Sequence, residues 1–183
     1  NGYESMSETG EITEDSFPLM VFVDGEKIRI KNNAEVEIVY EPDSYDDKFD
    51  ISEKQDESII AYVVGNKIII IGEGKTKNYE YTKTPFDNIS NDITEVEVSE
   101  GITILGQWLF ATSSCQQITN IQLPSTLEKI SYGTFYLSDR VNTIQFNGTK
   151  ADWIKISSTS EYRHNYHLAK ATIICTDGEI TPQ

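Results

Sequence analysis

The sequence predicts a mainly β protein with short helices (α+β), in which a short right-handed solenoid of repeated coils follows an N-terminal β-hairpin/β-sheet unit. The solenoid is predicted by a motif that occurs three times, as ITEVEV at 93–98, ITNIQL at 118–123 and VNTIQF at 141–146. The nearly regular interval between these copies leaves room in each for one strand and a return segment. The N-terminal unit is predicted by apolar and alternating runs over 17–40.

The segment 1–55 is predicted to hold a leader and a β unit with an acidic loop. Residues 1–15 are polar and acidic without periodicity, which is typical of a disordered leader. Within 16–55, FPLMVFV and EKIRIK flank the hairpin signal Asp24-Gly25, and AEVEIVY supplies a third strand. The run EPDSYDDKFDISEKQDE that follows is polar and acidic, and it predicts a loop or a poorly ordered connection.

Residues 56–92 are predicted to form a hairpin and a link that cap the amino-terminal end of the repeats. SIIAYVV and KIIIIG flank Gly65-Asn66, and their nearly continuous apolar character predicts that both faces are covered. Glycines, Pro85 and several asparagines then indicate an extended link. The predicted organisation is a leader at 1–15, a β unit at 16–55, a cap hairpin and link at 56–92, and repeats with a C-terminal cap at 93–183.

Apolar residues recur at matched positions of the repeats and are expected to stack inward as ladders between neighbouring coils. Alternate strand residues must then face outward, because side chains alternate along a strand. In solenoid proteins such a continuous sheet surface is commonly used for binding, although a solvated sheet without a ligand has the same pattern. The inward ladders are Ile93/Ile118/Val141, Val96/Ile121/Ile144, Val98/Leu123/Phe146, Ile102/Leu127, Leu105/Ile130 and Phe110/Phe135. The outward candidates for ligand binding are Glu95, Glu97, Asn120, Gln122, Thr143 and Gln145.

A C-terminal cap is expected over 147–183, because a short solenoid would otherwise expose an apolar end. Thr149 and Asp152 have capping-box spacing for a short helix that carries Trp153. ATIIC at 171–175 is predicted to extend the sheet, and Asp177-Gly178 to turn the chain out.

The charge balance limits the partners that the sequence predicts. Thirty acidic residues against 15 Lys plus Arg give a net charge of −15. Residues 1–92 contain 21 of the acidic residues and 9 of the basic ones. Nucleic acid and anionic membrane surfaces require a basic footprint, so neither is an expected partner. No apolar run reaches the length of a membrane span. Cys115 and Cys175 lie toward opposite ends of the repeat region and are predicted to be buried and unpaired, since distant coils do not touch.

No catalytic, cofactor-binding or metal-binding constellation is predicted. IIIIGEGKT at 68–76 places Ile69 where a phosphate-binding loop requires glycine. His164 and His167 stand in RHNYH without a recognisable metal pattern, and both are expected at the surface or in a loop. The acidic residues Asp43, Asp46, Asp47 and Asp50 lack the alternating spacing of a calcium loop, which favours a solvated loop and leaves weak Ca²⁺ binding open.

Aromatic residues are abundant, and some fall in return or loop positions. Filling of the interior is their commoner use, whereas exposed rings can stack on sugars or anchor a protein. Those whose rings could stay partly exposed are Tyr132, Tyr136, Tyr162 and Tyr166.

The segment from about 56 to 183 resembles the BspA-like class of leucine-rich repeats of bacterial surface and secreted proteins. The resemblance is carried by VEVSEGITILGQWLF, IQLPSTLEKISYGTF and the ending IQFNGTKADWIKI…HLAKATIICTDGEI, with a similar lead-in GNKIIIIGEGKTKNY…TPF. Asp139 stands where the family's second repeat usually has cysteine. The resemblance implies a secreted or surface-anchored protein of the adhesion or host-interaction type, with lipid anchoring left open.

The leading functional prediction is a non-enzymatic, monomeric cell-surface or secreted protein that binds a host or extracellular protein or glycan. One alternative is a structural spacer that presents the N-terminal β unit and has no ligand of its own. Another is a small carbohydrate-active hydrolase, because an acidic chain always contains candidate carboxylate pairs.

Overall fold

The computed structural model describes residues 42–182, apart from 57 and 91, together with the backbone of three strands nearer the amino terminus. The chain divides into two compact units, 1–43 and 44–183. The leader predicted at 1–15 and the turn residues Asp24 and Gly25 lie outside the described residues.

The first unit contains a three-stranded antiparallel sheet. Its strands are β1 (Leu19–Val23), β2 (Glu26–Asn32) and β3 (Glu35–Ile38). β2 is central, with Leu19 opposite Ile30 on one side and Ile28 opposite Ile38 on the other. The pairing shifts between Ile30 and Asn32, where β2 is irregular.

The second unit is built on an eight-stranded mixed sheet in which five parallel strands form the centre. The parallel strands are β6 (Lys67–Gly72), β8 (Glu95–Val98), β10 (Asn120–Leu123), β12 (Thr143–Phe146) and β13 (Thr172–Cys175). Antiparallel strands complete each end, with β5 (Ile59–Val64) and β4 (Asp47–Asp50) beyond β6 and β14 (Gly178–Ile180) beyond β13.

A smaller parallel sheet forms from the strands that follow β6, β8 and β10 in the chain. It runs in the order β11 (Lys129–Ile130), β9 (Ile102–Leu105) and β7 (Gly74–Lys75). Ile130 pairs with Leu105 in this sheet, and Ile121 pairs with Val96 in the large sheet at the same separation along the chain. Both sheets therefore repeat the period seen in the sequence.

The core of the second unit lies between these sheets, and the predicted ladders form it. Val96, Ile121 and Ile144 are paired neighbours on β8, β10 and β12, and each is at most 1% exposed. Every other residue predicted to point inward is also buried. The ring of Phe110 stacks on Phe86, with centroids 5.7 Å apart, and on Phe135 at 4.9 Å. These rings extend the ladder into the link that precedes the first repeat.

The carboxyl-terminal segment begins with helix α1 (Lys150–Ser157), which buries Trp153 and Ile156. Its predicted capping box is present, since the Thr149 side chain accepts from the Asp152 N–H while the Asp152 carboxylate accepts from the Thr149 N–H. Helical turns of 3-10 type follow over Tyr162–Lys170, with a break at Asn165. The Asn165 side chain is fully buried, and hydrogen bonds to the preceding repeat compensate for this burial: it accepts from the Phe135 N–H and donates to the Ser131 carbonyl.

Two local expectations differ from the structure. The acidic run predicted as a loop contains β4, which pairs with β5 along its whole length and turns Phe49 toward the core cluster. Asp177-Gly178 does not release the chain but leads into β14, which returns antiparallel to β13.

The domain boundaries predicted at 15/16, 55/56 and 92/93 stay predictions. α1 is short, and no helix in the described part of the chain has the length and apolar character that a membrane crossing requires.

Candidate functional site

The six outward residues predicted as a ligand surface form two rows across the centre of the large sheet. Glu95, Asn120 and Thr143 are paired neighbours in one row, and Glu97, Gln122 and Gln145 are paired neighbours in the other. Asn120, Gln122 and Gln145 are exposed, and the other three side chains are half-buried. We call these six residues the polar face. The structure therefore brings together all the residues that the sequence selected.

The polar face is held from below by the buried ladders and along one edge by repeated backbone bonds. The Thr94 carbonyl accepts from the N–H groups of Thr119 and Asn120, at 2.9 and 3.3 Å. The Thr119 carbonyl accepts in the same way from Asn142 and Thr143. Each repeat thus fixes the start of the strand in the next repeat, and the paired outward side chains stay in register.

A hydrogen-bonded clasp, which no sequence motif predicts, fixes the other end of β8 and β10. The Glu100 carboxylate accepts from the N–H and hydroxyl of Ser125, both at 2.9 Å, from the Thr126 N–H and from the Asn147 amide. Partial burial opposes ionisation of Glu100, but these hydrogen bonds outweigh it, so its pKa is lowered. Glu100 and Ser125 are equivalent positions of successive copies but differ in residue type. No residue class therefore recurs at this position that could predict the clasp.

Lysine and threonine extend the first row, and apolar residues extend the second. Lys67 precedes Glu95 in the first row, and Thr172 follows Thr143. Ile69 and Ile174 occupy the corresponding ends of the second row. Lys67 forms a salt bridge with Glu97 on the neighbouring row, with side chains that are 26% and 40% exposed. Such a partly exposed pair contributes little to stability, and it orients both groups at the surface.

The chemistry of the polar face is that of a hydrogen-bonding surface. Each of its three amides has two N–H donors and one carbonyl acceptor, and its two carboxylates accept hydrogen bonds. The Thr143 hydroxyl already donates to the Asn142 side chain at 2.9 Å. Among the residues that the structure describes, no group of three or more His, Cys, Asp or Glu side chains is placed to hold a metal ion.

A cluster of aromatic rings lies in the return segments. The Trp108 ring makes edge-to-face contacts with Tyr81, Tyr132 and Tyr136, at centroid distances of 5.3, 5.0 and 5.4 Å. Tyr81 is 46% exposed, whereas the other three rings are half-buried. Tyr132 and Tyr136 are among the tyrosines that the sequence predicts to stay partly exposed, whereas no sequence pattern singles out Tyr81 or Trp108.

An open groove of about 460 Å³ borders this cluster. None of its lining residues belongs to the large sheet, because all lie in the segments that connect β7 to β8, β9 to β10 and β11 to β12. We call it the Tyr81 groove. Its lining residues are Tyr81, Thr82, Asp87, Asn88, Ala111, Thr112, Ser113, Gln116 and Leu137.

The two histidines have different environments. His164 is exposed and stacks on Tyr132 at 3.8 Å, as expected of a surface residue. The expectation is wrong for His167, which is 5% exposed, packs against Tyr136 and bonds the Asp139 carboxylate through Nδ1. The Asp139 carboxylate thus provides the polar partner that lets an imidazole occupy the interior.

The cysteines and the remaining tyrosines follow their packing. Cys115 and Cys175 are buried and free, as predicted. Burial, and then the nearby Asp87 carboxylate, raise the pKa of the Cys115 thiol. Tyr162 is 8% exposed and fills the interior, where burial raises its pKa, while Tyr166 is 57% exposed.

The family model described as "BspA type Leucine rich repeat region" matches residues 76–174, in six copies. A leucine-rich repeat protein from Eubacterium ventriosum has a similar crystal structure, with 22% sequence identity and a TM-score of 0.43. The alignment covers 55% of this chain and 30% of that one, so the chain spans less than a third of that protein's length. No curated protein matches the sequence.

Proposed function

The chain belongs to the BspA type leucine-rich repeat family, whose model matches more than half of it, and on that premise we propose that it is a non-enzymatic interaction module that binds an extracellular protein through the polar face. The observation that supports this proposal is the strict register of the two rows on β8, β10 and β12. A regular array of amides and carboxylates suits another protein surface, which also offers many hydrogen-bond donors and acceptors.

The proposal includes the form and location of the protein. The successive coils are taken to wind as a short right-handed solenoid that is closed by residues 56–92 at one end and 147–183 at the other. Proteins of this family are typically bacterial surface or secreted proteins, and we place this chain there as a monomer. Adhesion to a host or to another extracellular surface is the role that this location favours.

Two charge-changing substitutions test the polar face. The full chain is presented to a panel of purified extracellular-matrix proteins, and binding of at least one of them is expected. Glu97→Lys combined with Gln122→Lys should weaken that binding by about tenfold or more. The two substitutions introduce positive charge and remove hydrogen-bonding groups at the centre of the surface. Glu128→Lys is the matched control, since Glu128 is exposed but lies outside the polar face.

A spacer function is the second candidate, and it is favoured by the separate compact unit at 1–43. In that case the repeats present the first unit and have no ligand of their own. Binding that survives Glu97→Lys and Gln122→Lys unchanged would support this candidate and contradict the first. The hydrolase alternative has no support at the Tyr81 groove, whose lining contains one carboxylate, Asp87, rather than the pair that glycoside hydrolysis uses.

A further inference from the structure

We propose that the Tyr81 groove is a second binding site and that its ligand is a neutral saccharide of one or two rings. This inference goes beyond the proposed function, because both the site and the class of ligand differ from those of the polar face. A groove of about 460 Å³ falls within the range of small-molecule sites. Its lining combines one exposed aromatic ring, that of Tyr81, with several hydrogen-bonding side chains, which is the combination that an amphipathic sugar ring requires.

The Tyr81 ring is held by its neighbours although it is exposed. The Tyr81 ring is 46% exposed, yet its edge-to-face contacts with Trp108 and Tyr136, at 5.3 and 5.5 Å, hold its orientation. A ring that is already immobilised loses little side-chain entropy when a ligand stacks on it. The negative face of the phenol ring attracts the weakly positive C–H groups that one side of a pyranose presents.

The polar lining matches sugar hydroxyl groups. Asn88, Ser113 and Gln116 are exposed, and their amide and hydroxyl groups can each donate and accept hydrogen bonds. A sugar hydroxyl has the same dual character. The Asp87 carboxylate accepts from the Thr84 N–H at 3.1 Å and from its hydroxyl at 3.3 Å, which fixes its position while leaving lone pairs for a further donor.

The charge of the lining selects a neutral ligand. The lining residues include the Asp87 carboxylate and no lysine, arginine or histidine. An acidic sugar would meet a negative charge without a compensating cation, which disfavours its binding. A neutral saccharide meets no such cost.

Backbone strain is concentrated at the same place. Among the described residues, four that are not glycine have a positive φ, and two of them, Thr82 at 57° and Leu137 at 67°, line the groove. Strained residues of this kind persist where the surrounding structure holds them, and they cluster at ligand sites.

Saturation-transfer NMR on the full chain tests the proposal with cellobiose, lactose, mannobiose and N,N′-diacetylchitobiose, and with sialyllactose as the acidic comparison. At least one neutral disaccharide should bind with a dissociation constant on the order of 1 mM. Tyr81→Ala and, separately, Gln116→Ala should weaken that binding about tenfold. Tyr45→Ala is the matched control, because Tyr45 is similarly exposed, at 47%, and packs against Tyr62 instead.

The outcomes separate this site from the polar face. Glu97→Lys should leave saccharide binding unchanged, and Tyr81→Ala should leave protein binding by the polar face unchanged. Three results would each overturn the proposal. They are the absence of binding to all four neutral disaccharides, tighter binding of sialyllactose than of any of them, and saccharide binding that is insensitive to both Tyr81→Ala and Gln116→Ala.

Discussion

The backbone of Gly133 lies so close to the ring of Trp108 that a methyl group at Gly133 would be 2.5 Å from Cε3 of the indole. The two residues occupy equivalent positions of successive copies, and both have left-handed backbone, with φ of 58° at Trp108 and 62° at Gly133. One coil therefore places a tryptophan at this position and the next leaves the space into which its ring packs. Tyr81 and Tyr132 then make edge-to-face contacts with that ring.

Gly133→Ala is expected to destabilise the protein. The alanine meets both the unfavourable left-handed backbone and the indole ring, and overpacking of this kind costs about 1–3 kcal/mol. Gly65→Ala is the matched control, because Gly65 has φ of 60° but no atom within 4 Å of an added Cβ. Urea unfolding should show that Gly133→Ala lowers the free energy of unfolding by about 1–3 kcal/mol more than Gly65→Ala does. Equal effects of the two substitutions would show that the ring moves away freely.

Removal of one ladder residue should weaken the whole set of coils. Ile121 is 1% exposed and pairs with Val96 and Ile144, so Ile121→Ala leaves a cavity between three strands and should cost about 2–5 kcal/mol. Gln122→Ala, at the next position of β10, removes an exposed side chain and should change the free energy of unfolding by less than about 0.5 kcal/mol. Chemical denaturation of both variants measures the contrast. A loss below about 1 kcal/mol in Ile121→Ala would be incompatible with the ladder.

The ladders and the polar face could be predicted because the same residue class recurs at the same position of each copy. An apolar residue is repeated at the positions of Val96, Ile121 and Ile144, and polar residues alternate with them, so one period fixes both faces. A pairing error of a single position would have exposed the apolar set. The register is therefore strongly specified by the pattern.

The edge strands could not be predicted because their sequences do not carry that pattern. β4 has the sequence DKFD, in which Phe49 alone is apolar, and the backbone pairing with β5 compensates for the weak local preference. β14 is very short and follows a turn signal that is equally compatible with an exit from the fold. In both cases pairing with the neighbouring strand, rather than the local sequence pattern, determines the structure.

The Tyr81 groove was missed because it has no local signature. Its residues come from three connecting segments, for example Asp87, Gln116 and Leu137, which are far apart in the sequence and meet only in the folded protein. His167 was also misplaced, since RHNYH reads as a polar surface segment. The Asp139 carboxylate that bonds its Nδ1 lies much earlier in the sequence, in the preceding coil.

The Glu100 clasp should make stability dependent on pH in the acidic range. The pKa of Glu100 is lowered in the folded protein from its ordinary value of 4.5. A carboxyl with a lowered folded-state pKa contributes stability that is fully present above the unfolded pKa and is lost as pH falls through the folded pKa. Glu100→Gln should therefore reduce the melting temperature near pH 7 and reduce the additional loss between about pH 5 and about pH 3. Thermal unfolding across this range measures the difference. Glu128→Gln is the control, because Glu128 is an exposed glutamate outside the clasp. Identical pH profiles for wild type and Glu100→Gln would contradict the clasp.

The two cysteines should be protected from thiol reagents in the folded protein and should differ in the degree of protection. Cys115 is fully buried, and burial raises its pKa, so it has almost no reactive thiolate at neutral pH. Cys175 is 8% exposed near the edge strand β14, and it should be the first to react when that edge opens locally. Timed labelling with iodoacetamide, followed by mass spectrometry, should show modification of Cys175 well before Cys115 and equal reaction of both in denaturant. Cys115→Ser and Cys175→Ser assign the two signals. Faster labelling of Cys115 in the native protein would contradict the packing of the first repeat around Phe86 and Phe110.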